Sequence, residues 1–142
     1  MKAVNTVKFT FPSKSINEGF ARSALAALAS QADPTLDEVA DIKTAVSEAV
    51  TNCIVHGYPD TLGPVTVTAS LLEDNVLRVV VADKGVGIPD VTQAMQPLFT
   101  TGGPERAGLG FAVMESFMDT VKVRSVPGKG TRVTMTKRLG GR

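Results

Sequence analysis

The hydrophobic period of this chain changes at Pro59, and that change restricts the folds open to it. From Ser15 to Pro59 apolar residues recur at helical spacing, and beyond Pro59 they alternate. On the near side Val39, Ile42, Val46, Ala49, Val50 and Cys53 make one stripe of an amphipathic helix. Thr35-Leu36-Asp37-Glu38 opens that helix as a capping box: the Thr35 oxygen accepts from the amide of Glu38, whose carboxylate reaches back. His56-Gly57 is its natural end. On the far side Val65, Val67, Ala69 and Leu71 alternate with Thr66, Thr68 and Ser70. Glu73-Asp74-Asn75 then turns the chain into Val76 to Ala82, which predicts a hairpin.

The rest of the chain extends this pattern. Val4 to Phe11 alternate as a first strand, broken by Pro12-Ser13. A helix is expected from Ser15 to about Gln31, with Phe20, Ala24, Leu25 and Leu28 inward, Glu18 and Arg22 on other faces, and Asp33-Pro34 as its stop. Pro89 to Ala107 is rich in Thr, Gly and Pro and predicts a loop, with a helical turn near Val91 to Met95. A short helix from Phe111 to Met118 follows Gly110 directly. Val121 to Arg124 and Thr131 to Lys137 pair around Pro127-Gly128-Lys129-Gly130, and the tail from Leu139 to Arg142 is expected to fray. One layer of strands covered by helices on one face accommodates all of this, an α+β fold.

At 142 residues the chain suits a single domain spanning 1–142. A formal charge of +1 argues against a large electrostatic nucleic-acid footprint and leaves room only for a local basic patch. The single cysteine, Cys53, makes no internal disulfide; on the core stripe it reads as an inert buried thiol. The amino terminus lacks the apolar stretch of a signal peptide, and no run approaches the roughly 20 apolar residues of a membrane span. The expectation is a soluble, cytoplasmic protein with no direct nucleic-acid or membrane partner.

Three polar groupings carry the chemistry. Glu48 and Asn52 lie about 40° apart on an ideal helix and so share a face. Alone they are two polar residues on a solvated face; at the edge of a pocket Glu48 would accept a proton and Asn52 offer oxygen to Mg²⁺. Asp83-Lys84-Gly85-Val86-Gly87 follows a strand. It is a turn signature, and equally a carboxylate placed to accept from the amino group of adenine. Gly108-Leu109-Gly110 leads into the short helix, where amides can meet phosphate. The loop Thr100-Thr101-Gly102-Gly103-Pro104-Glu105-Arg106 just before it could fold over phosphates, with Arg106 neutralising charge. Two familiar nucleotide loops are excluded: Gly85-Val86-Gly87 lacks the third glycine of a dinucleotide fingerprint, and Gly128-Lys129-Gly130-Thr131 lacks P-loop spacing. His56 is the only histidine, which leaves no zinc cluster.

Taken together these residues resemble the GHKL ATPases, the group that includes the histidine kinases. Glu48-Ala49-Val50-Thr51-Asn52 is similar to their N box, Asp83 to Gly87 to the first glycine box and Gly108 to Gly110 to the second. Within the group the chain looks closest to bacterial anti-sigma serine kinases of sporulation. That likeness is carried by Ser47 to Asn52 with His56-Gly57-Tyr58, by Gly85 to Asp90, by Pro97 to Thr101 and by Phe117-Met118-Asp119. The resemblance implies a Bergerat-type α/β sandwich, one mostly antiparallel sheet covered on one face by helices, holding ATP and Mg²⁺. It implies two activities: binding and silencing a sigma factor, and phosphorylating a serine on an anti-anti-sigma protein. Residue by residue, it makes Glu48 the catalytic base, Asn52 the Mg²⁺ ligand and Asp83 the adenine contact. Gly85, Gly87, Gly108, Leu109 and Gly110 would shape the pocket, with Thr100, Thr101 and Arg106 at the phosphates and Thr131 near the adenine end. Arg22 matches a position used for partner contact, and the family implies a homodimer. Two other readings stay open: a kinase of a stress-response sigma factor, and a binding module that uses ATP only to hold its shape.

Overall fold

The computed structural model describes residues 2–95 and 110–140. Strand β1 (Ala3–Pro12) leads to helix α1 (Asn17–Ala29), which tightens into a 3₁₀ turn at Ser30–Ala32. Helix α2 (Leu36–Asn52) runs into a π-helical turn at Cys53–Gly57. Strands β2 (Pro64–Leu72) and β3 (Val76–Asp83) follow, then the single turn α3 (Val91–Ala94). Helix α4 (Phe111–Phe117) and strands β4 (Thr120–Val126) and β5 (Gly130–Arg138) complete the described chain. The strands form one sheet in the order β1-β2-β3-β5-β4, every neighbour antiparallel.

Alternation decides which face of the sheet is covered. Phe11, Val65, Val67, Ala69, Val79, Val81, Val133 and Met135 point to the helices and are buried. Ile42, Ala45, Val46, Ala49 and Val50 of α2 meet them with no exposed surface. Full burial of such an aliphatic side chain stabilises by roughly 1.5–3 kcal/mol, so this layer dominates the fold. The capping box forms as the sequence predicts: Glu38 N donates to Thr35 Oγ1 at 3.1 Å and Thr35 N to Glu38 Oε1 at 2.8 Å.

Four expectations are corrected. Phe20 does not enter the core; it is 57% exposed and sets its edge against Phe9, while Ala21, Leu25, Leu28 and Ala29 supply the inner face of α1. The α-helical part of α1 spans only Asn17–Ala29; the chain tightens into the 3₁₀ turn at Ser30–Ala32, and Asp33 ends that turn with left-handed φ, at the stop the sequence predicts. The α-helical part of α2 ends at Asn52 instead of reaching His56; Tyr58 N donates to Cys53 O at 3.0 Å, closing a wider turn. Finally, the tail does not fray at its start. Leu139 is buried, its amide donates to Asn75 O at 2.8 Å, and Gly140 N donates to Glu38 Oε1 at 2.9 Å.

Candidate nucleotide site

The sheet ends β3 at Asp83, directly opposite Thr131 in the β3–β5 ladder. The last turn of α2 lies above that position, so Asn52, Asp83, Gly87 and Thr131 line one pocket. Its apolar walls come from Ala49, Val81, Ile88, Phe111 and Val133. Flat apolar walls with a few convergent polar atoms are what a purine base requires. Thr131 Oγ1 and Ser125 Oγ share a hydrogen bond of 2.8 Å, and Ser125 Oγ also accepts from Ile88 N at 2.7 Å. The hydroxyl at the pocket floor is thereby held by the neighbouring strand.

Asp83 is placed by close backbone packing. Its Oδ1 accepts from Gly85 N at 2.8 Å. A Cβ on Gly57 would stand 2.9 Å from Asp83 Oδ2, and one on Gly85 would run into Gly57 O. The π-turn and the Asp83–Gly87 turn therefore interlock through two glycines, and Val86 N donates to Gly57 O at 3.0 Å. Tyr58 finishes the joint: its hydroxyl donates to Pro64 O at 2.7 Å and accepts from Lys84 N at 2.7 Å. Burial, then the hydrogen bond from Lys84, then the nearby Asp83 act on this phenol, and the net effect is an upward shift. Burial first, and the charge of Asp83 second, push the Cys53 thiol well above its usual range. That agrees with an unreactive thiol.

Glu48 sits one turn back on α2, at the rim. It lines a groove with Arg22, Ala40, Lys43, Thr44 and Ser47, and its Oε2 faces Gly110 closely enough that a Cβ there would collide with it. Gly110 has φ 72°, the left-handed value glycine adopts without penalty, as the residue that starts α4. Partial burial, and then the charge of Glu18, raise the Glu48 carboxyl above its ordinary value of 4.5. Glu18 is itself engaged: Arg22 Nη1 donates to its Oε1 at 2.8 Å and Ser47 Oγ donates to the same oxygen. Arg22 Nη1 also reaches Ser47 Oγ at 3.3 Å.

The expected residues thus fall into two neighbouring groups. Asn52, Asp83, Gly87 and Thr131 share the pocket, with Gly85 in the turn behind Asp83. Glu48 and Arg22 share the groove beside it, with Gly110 against Glu48. Thr100, Thr101, Arg106, Gly108 and Leu109 lie outside the described residues. Sequence reading missed the support of Gly57 and Tyr58 and the walls Ile88 and Phe111. Only the unbroken His56-Gly57-Tyr58 run hinted at the first two. Asn52 presents a hard oxygen that suits Mg²⁺, which takes few protein ligands beside nucleotide phosphates. Among the described residues no cluster of three or more His, Cys, Asp or Glu could hold a metal without such help.

Comparison with known proteins gives this geometry a context. The family model described as a histidine kinase-like ATPase domain matches residues 11–137. The chain is 57% identical over 141 residues to a protein of Caldanaerobacter subterraneus subsp. tengcongensis named anti-sigma F factor, covering 99% of this chain and 98% of that one. A protein of the same name from Clostridium acetobutylicum is 51% identical over 136 residues, covering 95% and 94%. Among solved structures, the RsbU and RsbW domains of Rv1364c from Mycobacterium tuberculosis superpose with a TM-score of 0.71. That match has 24% identity over 96% of this chain and 32% of the other, so it speaks to the fold alone. Among the described residues no helix is long and apolar enough to cross a membrane.

Proposed function

From the premise that the chain belongs to the histidine kinase-like ATPase family, we propose that it is an anti-sigma factor with serine kinase activity. In this reading it binds and inhibits a sporulation sigma factor, and uses Mg-ATP to phosphorylate a serine on an anti-anti-sigma antagonist. It acts in the cytoplasm as a homodimer. The observation that carries the proposal is the convergence of Asn52, Asp83 and Thr131 on one pocket, with Glu48 one turn back on the same helix and against Gly110. Identity of 55% and 57% over 99% of this chain to proteins named anti-sigma F factor supports it.

Asp83 accepts from the exocyclic amino group of adenine, and the Thr131 hydroxyl lies beside it at the base end. Asn52 would hold Mg²⁺, whose contribution is to neutralise charge on the phosphates. Arg106, Thr100, Thr101, Gly108 and Leu109 are assigned to nucleotide binding on the strength of the sequence resemblance alone. Glu48 orients the attacking serine hydroxyl and takes its proton. The serine oxygen bonds to the γ-phosphorus, the bond from that phosphorus to the β–γ bridging oxygen breaks, and ADP leaves. Partial desolvation makes Glu48 a stronger base than a free carboxylate.

The test is transfer from γ-labelled ATP with Mg²⁺ to a purified anti-anti-sigma protein from the same organism, beside Glu48→Gln. Label on a partner serine, lost in the variant, supports kinase and base together. ATP binding without label points to a nucleotide-gated binding module, and absence of ATP binding overturns the site.

A further inference from the structure

We propose that the open face of the sheet is a docking surface for a protein that presents carboxylates. The ladders place fifteen side chains there in three cross-strand rows. One row runs Thr10, Thr66, Ala82, Arg132, Arg124; the next Lys8, Thr68, Val80, Thr134, Lys122; the third Thr6, Ser70, Arg78, Thr136, Thr120. Five are cations, eight are hydroxyls, two are small apolar residues and none is a carboxylate. The formal charge of the chain is only +1, and among the described residues the acids lie mainly on the helices and at the turns.

All five cations are exposed, and none of them forms an ion pair with another described residue. Acidic residues stand at the strand ends instead. Glu73 and Asp74 lie in the β2–β3 turn, and Asp119 Oδ2 accepts from Arg138 N at 2.7 Å. Arg124 and Arg132 stand directly opposite each other, an arrangement that costs stability because like charges meet across the ladder. Such a pair is relieved when a partner brings negative charge between the two guanidiniums, which grip carboxylates in bidentate fashion.

The occupant follows from what else the face contains. It carries no aromatic side chain for base stacking, which a single-stranded nucleic acid would use. It is a patch of about 13 by 19 Å, from three rows and five strands at ordinary β spacing, small for a duplex but sized for an acidic helix. A second copy of this chain would bring five further cations against five. An acidic protein surface is the match in charge, with Thr and Ser hydroxyls donating between the cations.

The probes are fluorescein-labelled poly-L-glutamate of about 20 residues and a duplex DNA of equal charge, titrated against the full chain at two salt concentrations. The triple variant Lys122→Gln/Arg124→Gln/Arg132→Gln is compared with Lys14→Gln, a cation off this face. The expected result is poly-glutamate binding that weakens with salt and falls about tenfold or more in the triple variant. It is kept in Lys14→Gln, and DNA binds more weakly. Unfolding temperature should not drop in the triple variant, since a repulsive pair has been removed. Equal loss in both variants, no loss in the triple variant, tighter binding of DNA, or self-association abolished by the triple variant would each overturn the proposal.

Discussion

The two ends of the site are held by different means. At the base end, Asp83 is fixed by backbone: Gly57 and Gly85 pack without room for a methyl, and Tyr58 bridges Lys84 N to Pro64 O. At the rim, Glu48 is surrounded by side chains, with Glu18, Ser47 and Arg22 sharing hydrogen bonds beside it. Interlocked backbone gives a rigid acceptor, the kind that would discriminate one base from another if Asp83 meets adenine as proposed. Side-chain charge gives a carboxylate whose basicity can be tuned, and which a docking partner can reach.

Four experiments would break or sharpen this contrast. The largest effect is expected at the rim, where Glu48→Gln should lower phosphate transfer by about 10²–10⁴-fold with ATP affinity nearly unchanged. Transfer at the parent rate would remove Glu48 from the base role. At the other end, Asp83→Asn should weaken ATP by roughly tenfold or more while leaving GTP affinity alone. Equal loss for both nucleotides would mean that Asp83 holds the fold and not the base.

Tyr58→Phe probes the joint itself. It strands a buried amide and a carbonyl, for a stability loss of about 1–3 kcal/mol in denaturant titration, and should raise KM for ATP more than it lowers kcat. A fall in kcat alone would separate Tyr58 from base recognition. The smallest effect concerns pH and Glu48. A carboxyl raised in the folded state disfavours folding once ionised, so its contribution is fully favourable below the ordinary value of 4.5 and is lost as pH rises through the folded value. Glu48→Gln should therefore raise the unfolding temperature near neutral pH, by an amount that vanishes in acid. In parallel, transfer by the parent should decline as pH drops through that raised value. A gain over the parent that is no larger at pH 7 than at pH 4 would show that the carboxyl is not strained by its surroundings.

Much of this arrangement was legible from local pattern. The capping box fixed the start of α2 to the residue, since both of its bonds are local. Alternation named the buried strand positions because one face of the sheet is covered. Spacing put Glu48 and Asn52 on one face of α2, yet not that they open on two different cavities. Phe20 was misplaced because periodicity ranks residues by hydrophobicity, whereas α1 is pressed so near α2 that alanines fill the contact. Ser47 and Glu18 meet across 29 positions, and Tyr58 and Lys84 across 26, which no window along the chain can register.

The π-turn at Cys53–Gly57 has one more consequence. A turn of this kind is an α-helix carrying one residue too many, bulged where the ladder could not absorb it. Read as an arithmetic remainder, it sets the phase between Asn52 and Gly57: five residues bridge a gap that four would close in a regular helix. Removing one of Ile54 or Val55 would let α2 run on unbroken, with its core stripe intact as far as Cys53. Gly57 would then arrive rotated out of line with Gly85, and the chain would keep its fold while losing the alignment of Asp83.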